Sequence, residues 1–188
     1  MCHKLFGDAK LFEALVHVDE DLAEDARKRG CGCGGRLHRA HYPRKPRGVP
    51  PAHESDYTTR LSFCCARDGC RRRTTPASVR FLGRRVYVGV IVALVCALEH
   101  GVNAARLERL RTALGGSLDR RTVERWRTWW RETFVRSAFW NRARARFAPA
   151  VDARELPRTL LRRFGETDER TTLERMLAFL APITTTSA

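Results

Sequence analysis

Apolar residues recur at helical steps near the start of the chain. Leu11, Leu15, Val18 and Leu22 fall three or four positions apart, and Gly30 closes the run. This spacing predicts an amphipathic helix over 8–29 whose remaining face is acidic. The pattern then breaks. The stretch CGCGGRLHRAHYPRKPRGVPPAHESDY opens on glycines and holds four prolines between Pro43 and Pro51, so no helix runs through it. Arg36–Tyr42 is compatible with one strand. Thr58–Cys65 alternates more clearly, with Leu61, Phe63 and Cys65 on one face, and a long loop separates the two. Beyond Cys70 the chain reads as irregular or extended to about Gly83. Helical periodicity returns over about 85–99, 103–114, 119–135, 137–147, 153–164 and 167–180, and the tail TTTSA is expected to fray. No internal repeat is visible.

The longest apolar run, VYVGVIVALVCAL at Val86–Leu98, is well short of the roughly 20 residues of a membrane span. It reads as a buried core helix, or alternatively a strand. The N-terminus interrupts its apolar pattern with charges and offers no small-residue cleavage site, so no signal peptide is expected. A reducing, cytoplasmic setting follows, and seven cysteines then favour metal binding over disulfides.

Charge is uneven. Residues 1–30 carry 5 basic and 7 acidic side chains, residues 31–150 carry 25 and 8, and residues 151–188 carry 6 and 6. Composition bias explains arginine over lysine, but not why the two ends are balanced. A basic block confined to the middle predicts a polyanionic partner, nucleic acid above all.

Within that block the cysteines fall in two groups. Cys31-x-Cys33 lies in a glycine-rich turn, and Cys65-x4-Cys70 follows the second strand. Two short turns, each presenting two thiolates, suit a tetrahedral structural zinc. Glycines at 32, 34 and 35, and Gly69, let the backbone bend around the sulfurs. Strand alternation turns Cys65 toward the Leu61 and Phe63 face and Cys64 away, which favours Cys65; His38 and His41 are reserve ligands. Two other readings remain: buried apolar cysteines, and a catalytic thiol activated by Arg71, Arg72 and Arg73. The second lacks a companion base, so no enzymatic activity is expected.

A second stretch, NAARLERLRTALGGSLDRRTVERWRTWWRETF, has the order of a helix-turn-helix. Asn103 starts a helix with Leu107, Leu110 and Leu114 on its stripe, Gly115 and Gly116 end it, and Leu118 plugs the corner. Asp119 caps the next helix, where Val123, Trp126, Trp130 and Phe134 form the apolar face. Arg120, Arg121, Thr122, Arg125 and Thr128 are the candidate DNA contacts there, joined by Arg71, Arg72 and Arg73 beside the cysteines. An αα-hairpin with a solvated arginine face is the plainer alternative.

LSFCCARDGCRRRTT and LDRRTVERWRTWW together resemble the N-terminal region of bacterial insertion-sequence transposases. There a zinc ribbon precedes a helix-turn-helix; Phe63, Cys65 and Cys70, and Thr122, Val123 and Trp126, stand in similar places. The resemblance covers about 31–135 and implies a mainly α protein with a small β zinc ribbon. Its expected parts are an N-terminal helix (1–30), a zinc-ribbon-like module (31–83), a helix-turn-helix domain (84–147) and a C-terminal helical pair with tail (148–188). Transposases of this type continue into a ribonuclease-H-like domain, whereas the 41 residues after Phe147 read as two helices. The expectation is therefore a zinc-stabilised, sequence-specific binder of double-stranded DNA, nucleoid-associated, with a homodimer or a transposase as partner. A protein-interaction module or transcriptional regulator built on the same ribbon is the alternative.

Overall fold

The computed structural model describes residues 5, 8–82, 88, 89, 92, 103–114, 118–165 and 168–187. Helix α1 spans Ala9–Arg29, close to the expected bounds. Its buried residues are Leu11, Phe12, Leu15, Asp19, Ala23 and Ala26, so the stripe runs beside the expected one, and Val18 and Leu22 are only half-buried. Asp19 is a correction to the acidic face. It is 1% exposed and accepts hydrogen bonds from Ser78 Oγ at 2.6 Å, Val79 N–H at 2.7 Å and Arg80 Nε at 2.8 Å. A buried carboxylate needs such partners, and residues 78–80 supply them. Beside them, Tyr57 packs between Phe12 and Phe81 and donates its hydroxyl to Phe12 O at 3.0 Å.

Six short strands follow: β1 (Leu37–Arg39), β2 (Tyr42–Pro43), β3 (Thr59–Arg60), β4 (Phe63–Cys65), β5 (Arg73–Thr75) and, at the far end of the chain, β6 (Thr186–Ser187). One antiparallel sheet has the order β1-β4-β5-β6, and β2 pairs with β3 separately. The single strand expected over Thr58–Cys65 is thus broken at Leu61–Ser62, where the chain crosses from one sheet to the other. There the Ser62 N–H bonds His41 Nδ1 at 3.0 Å, while Ser62 O accepts from the Ala40 N–H at 2.9 Å. The tail departs from expectation too: Thr186 pairs with Thr75 and Ser187 with Thr74 instead of fraying. Thr184 helps to seat it, its hydroxyl accepting from the Ser78 N–H at 2.8 Å.

By contacts the chain forms two units, residues 9–88 with 178–188, and residues 1–8 with 89–177. Helix α1 therefore shares a unit with the β1-β4-β5-β6 sheet. The second unit contains α2 (Ala104–Leu114), α3 (Arg120–Thr128), α4 (Ala138–Ala143), α5 (Arg158–Phe164) and most of α6 (Glu169–Leu180). Asp119 caps α3 by accepting from the Thr122 N–H at 2.5 Å, as its position predicts. The helix then widens to a π turn over Trp129–Phe134. Val123, Trp126, Trp130 and Phe134 are buried, with Trp130 and Phe134 ring centroids 4.9 Å apart. The Gly115–Gly116 turn, most of the expected 85–99 helix, Cys2 and Cys96 lie outside the described residues. The described chain is mainly helical with a small antiparallel sheet. Among the described residues no helix is long and apolar enough to cross a membrane.

Candidate metal centre

Both cysteine pairs sit at the same end of the β1-β4 ladder. Cys31 and Cys33 occupy the turn between α1 and β1; Cys65 ends β4, and Cys70 lies in the turn to β5. Register places Leu37 opposite Cys65, which brings the two turns face to face. Sγ of Cys31 lies 3.8 Å from Cys70, Sγ of Cys33 lies 3.5 Å from Cys65, and all four lie within 4.8 Å of one another. A metal–sulfur distance of about 2.3 Å in a tetrahedron separates its sulfurs by about 3.8 Å. The four free thiols therefore fit a tetrahedral metal with little adjustment. An all-sulfur set suits a soft or borderline cation such as zinc or iron and excludes magnesium and calcium.

Local backbone chemistry shapes each turn. In the first, the Gly34 N–H bonds Cys31 O at 2.7 Å and the Cys31 N–H bonds Gly35 O at 3.0 Å. In the second, the Cys70 N–H bonds Arg67 O at 3.1 Å. Gly34 and Gly69 both have φ of 80°, a conformation glycine adopts without steric cost. Gly35 answers a different demand, since a Cβ there would stand 2.5 Å from Cys65 Sγ and 3.3 Å from Cys33 Sγ. Arg67, which the motif reading missed, ties the turns together. Its N–H points at Cys65 Sγ at 3.4 Å and its guanidinium donates to Cys33 O at 2.9 Å. Its place two residues after a ligand was the only available signal. Ala23 of α1 also closes on the centre, within a buried cluster of Cys31, Leu37, Phe63 and Cys65.

The thiols differ in acidity. The Gly35 backbone N–H, followed by hydrogen bonds from Cys70, Cys65 and Cys31, lowers the Cys33 thiol to about 6. At Cys65 the Arg67 N–H acts in the opposite sense to the net shift; burial and the other three thiols outweigh it and raise the group to about 12. Thiols this close share their protons unequally, and a divalent cation replaces those protons.

The structure separates the adjacent cysteines. Cys65 is buried in the cluster, whereas Cys64 directs its Sγ to Arg71 O at 3.3 Å. His38 is exposed opposite Cys64, and His41 is engaged with Ser62, so neither reserve ligand belongs to the group.

The candidate DNA contacts are placed as follows. On α3, Arg120, Arg121, Arg125 and Thr128 are exposed. Arg120 pairs with Glu124 at 2.9 Å, while Arg125 donates to Thr122 Oγ1 at 2.8 Å. Thr122 is buried, its hydroxyl used by Arg125 and its N–H by Asp119, so it does not reach the surface as expected. Near the centre, Arg71 pairs with Asp68 at 2.8 Å and Arg72 is exposed. Arg73 donates to Ala40 O at 2.9 Å and lies over the Tyr42 ring, a strapping role the sequence did not suggest.

No protein family, curated protein or solved structure matches this chain.

Proposed function

We propose that this chain is a DNA-binding protein in which Cys31, Cys33, Cys65 and Cys70 hold a structural zinc and α3 is the recognition helix. The observation that carries the reading is the basic block: 25 basic against 8 acidic side chains over residues 31–150, which contain both the four-cysteine centre and the capped helix. The zinc closes a sheet whose cysteine cluster, among the described residues, buries Leu37 and Phe63 as its large apolar side chains, with Leu61 packed half-buried against them. Burial of each contributes about 2–3 kcal/mol, against about 10 kcal/mol or more for a structural zinc. On α3, Arg121 is exposed and has no side-chain hydrogen bond or salt bridge among the described residues. The exposed Arg120–Glu124 pair contributes well under about 1 kcal/mol and is readily exchanged for phosphate. Thr122 serves here as the support of Arg125 rather than as a base contact. The resemblance to transposase DNA-binding regions supports a role in, or accessory to, a mobile element, with a homodimer or a transposase as partner. The reading assigns these residues binding and no catalysis.

The test is duplex DNA binding by the zinc-loaded chain across a salt series. Affinity falls steeply with salt if phosphates are neutralised. Arg121→Ala with Arg125→Ala weakens binding and lowers the log–log salt slope by roughly 2. Unchanged affinity in that variant removes α3 from the interface, and absence of binding even at low salt ends the DNA reading. Metal analysis is expected to find one zinc per chain.

A further inference from the structure

An open cleft of about 700 Å³ lies where the end of α1 meets the first cysteine turn and β1. Its walls carry Arg27, Lys28 and Arg29 from the helix and Arg36, His38 and Arg39 from the strand side, and Gly30, Gly34 and Gly35 form part of its lining. From Arg27 to Arg39 the sequence contains no acidic residue. From α1, Glu24 reaches this group and is hydrogen-bonded by Arg27 at 2.9 Å. Its carboxyl is held below the usual range by that bond first, with Lys28 and Arg39 adding to the effect, so charges from the helix and the strand converge on one place.

Basic residues ending a helix are commonplace, because they complement the negative end of its dipole. That accounts for Arg27, Lys28 and Arg29. It does not account for Arg36 and Arg39, which come from the far side of the cysteine turn. A divalent cation on four thiolates leaves two negative charges, fewer than the five cations around the cleft. Like charges gathered on one face repel one another, and an anion among them relieves that repulsion. Arg29 and Arg36 are exposed, without an ion pair or side-chain hydrogen bond among the described residues.

We infer that this cleft is a second nucleic-acid contact, in which the metal-organised turn presents Lys28, Arg29, Arg36 and Arg39 to the phosphate backbone of a DNA duplex. It rests on the DNA-binding reading and adds to it. The recognition helix reads the site, and the cleft grips phosphates without regard to sequence. Because Gly34 and Gly35 belong to both the cleft and the cysteine centre, metal release disassembles the grip.

The experiment uses the full zinc-loaded chain and one duplex, with binding followed over a salt series. Arg29→Ala, Arg36→Ala and Arg39→Ala combined lower the log–log salt slope by roughly 2 to 3, at about 0.9 for each phosphate no longer neutralised. The same three positions changed to Lys retain the slope, because the counterion effect depends on charge. A control removing equal charge from exposed positions outside the basic block, Arg154→Ala, Arg162→Ala and Arg163→Ala, leaves the slope unchanged. Zinc content and melting temperature are measured for each variant, so unfolding is distinguished from a weakened grip. A triple variant that holds its zinc and keeps the parent slope overturns the cleft. So does a control that lowers the slope equally, since the effect is then diffuse charge. If the parent chain binds no duplex at low salt, the DNA-binding reading itself fails, and the cleft fails with it.

Discussion

A methyl group at position 35 would sit 2.5 Å from Cys65 Sγ and 3.1 Å from Arg67 Cβ. Neither neighbour yields easily, because Cys65 is fixed by β4 and Arg67 by its bond to Cys33 O. Gly35→Ala should therefore disrupt metal binding while leaving every ligand in place. Metal analysis of the purified variant is expected to give well under one equivalent, with a lower melting temperature than the parent. Adjacent cysteines offer a second residue-level contrast. Cys64→Ser should retain full metal, since Cys64 Sγ faces Arg71 O, and Cys65→Ser should lose it. Full metal content in Cys65→Ser would remove Cys65 from the ligand set. The choice between these residues was legible in the sequence because strand alternation is local: Phe63 and Cys65 share a face, and Cys64 does not. The role of Arg67 was not legible, since its partner Cys33 lies 34 residues away.

At the scale of elements, local signals and long-range partners divide the outcome. The stripe of α3 and its Asp119 cap follow from spacing within one helix, and both are present. The position of α1 does not follow from its own sequence. Its acidic residues look alike, yet Asp19 alone is buried, because Ser78, Val79 and Arg80 converge on it from about 60 residues away. The Asp19–Arg80 ion pair has both side chains almost wholly out of solvent. Removing one partner strands the other charge, so Asp19→Ala or Arg80→Met should each destabilise this unit by about 3–5 kcal/mol. The double variant should recover part of that loss, and denaturant titration of all three measures it. The cap of α3 gives a pH prediction. Asp119 is held below the usual carboxylate range by the Thr122 N–H first and by the Thr122 hydroxyl next, with Arg125 and Arg121 adding. A depressed folded value stabilises the helix above the unfolded value, near pH 4, and the contribution disappears as pH falls through the folded value. Asp119→Asn, which still caps but does not titrate, should flatten this part of the acid unfolding curve.

For the whole molecule, charge distribution indicated a basic centre between balanced ends, and apolar periodicity indicated mainly helical structure with short strands. They did not indicate how the ends are used. The tail TTTSA has no apolar pattern to suggest a strand, yet its Thr186–Ser187 becomes β6 on the open edge of β5. The same distance in sequence hid the pairing of Thr184 with Ser78. Chains with two compact units commonly unfold in more than one step. All four tryptophans, Trp126, Trp129, Trp130 and Trp140, fall in the unit containing residues 89–177, while the metal-site cysteines fall in the other. Urea titration should give separate midpoints for tryptophan emission and for metal release; coincident midpoints would mean one cooperative transition.

That partition of aromatic residues makes the protein its own spectroscopic ruler. In a metal-loaded sample, light absorbed by the indoles would report one half of the chain, and a dye that captures freed metal would report the other. The opening of each half can thus be timed separately in a single sample, with no label attached to the protein.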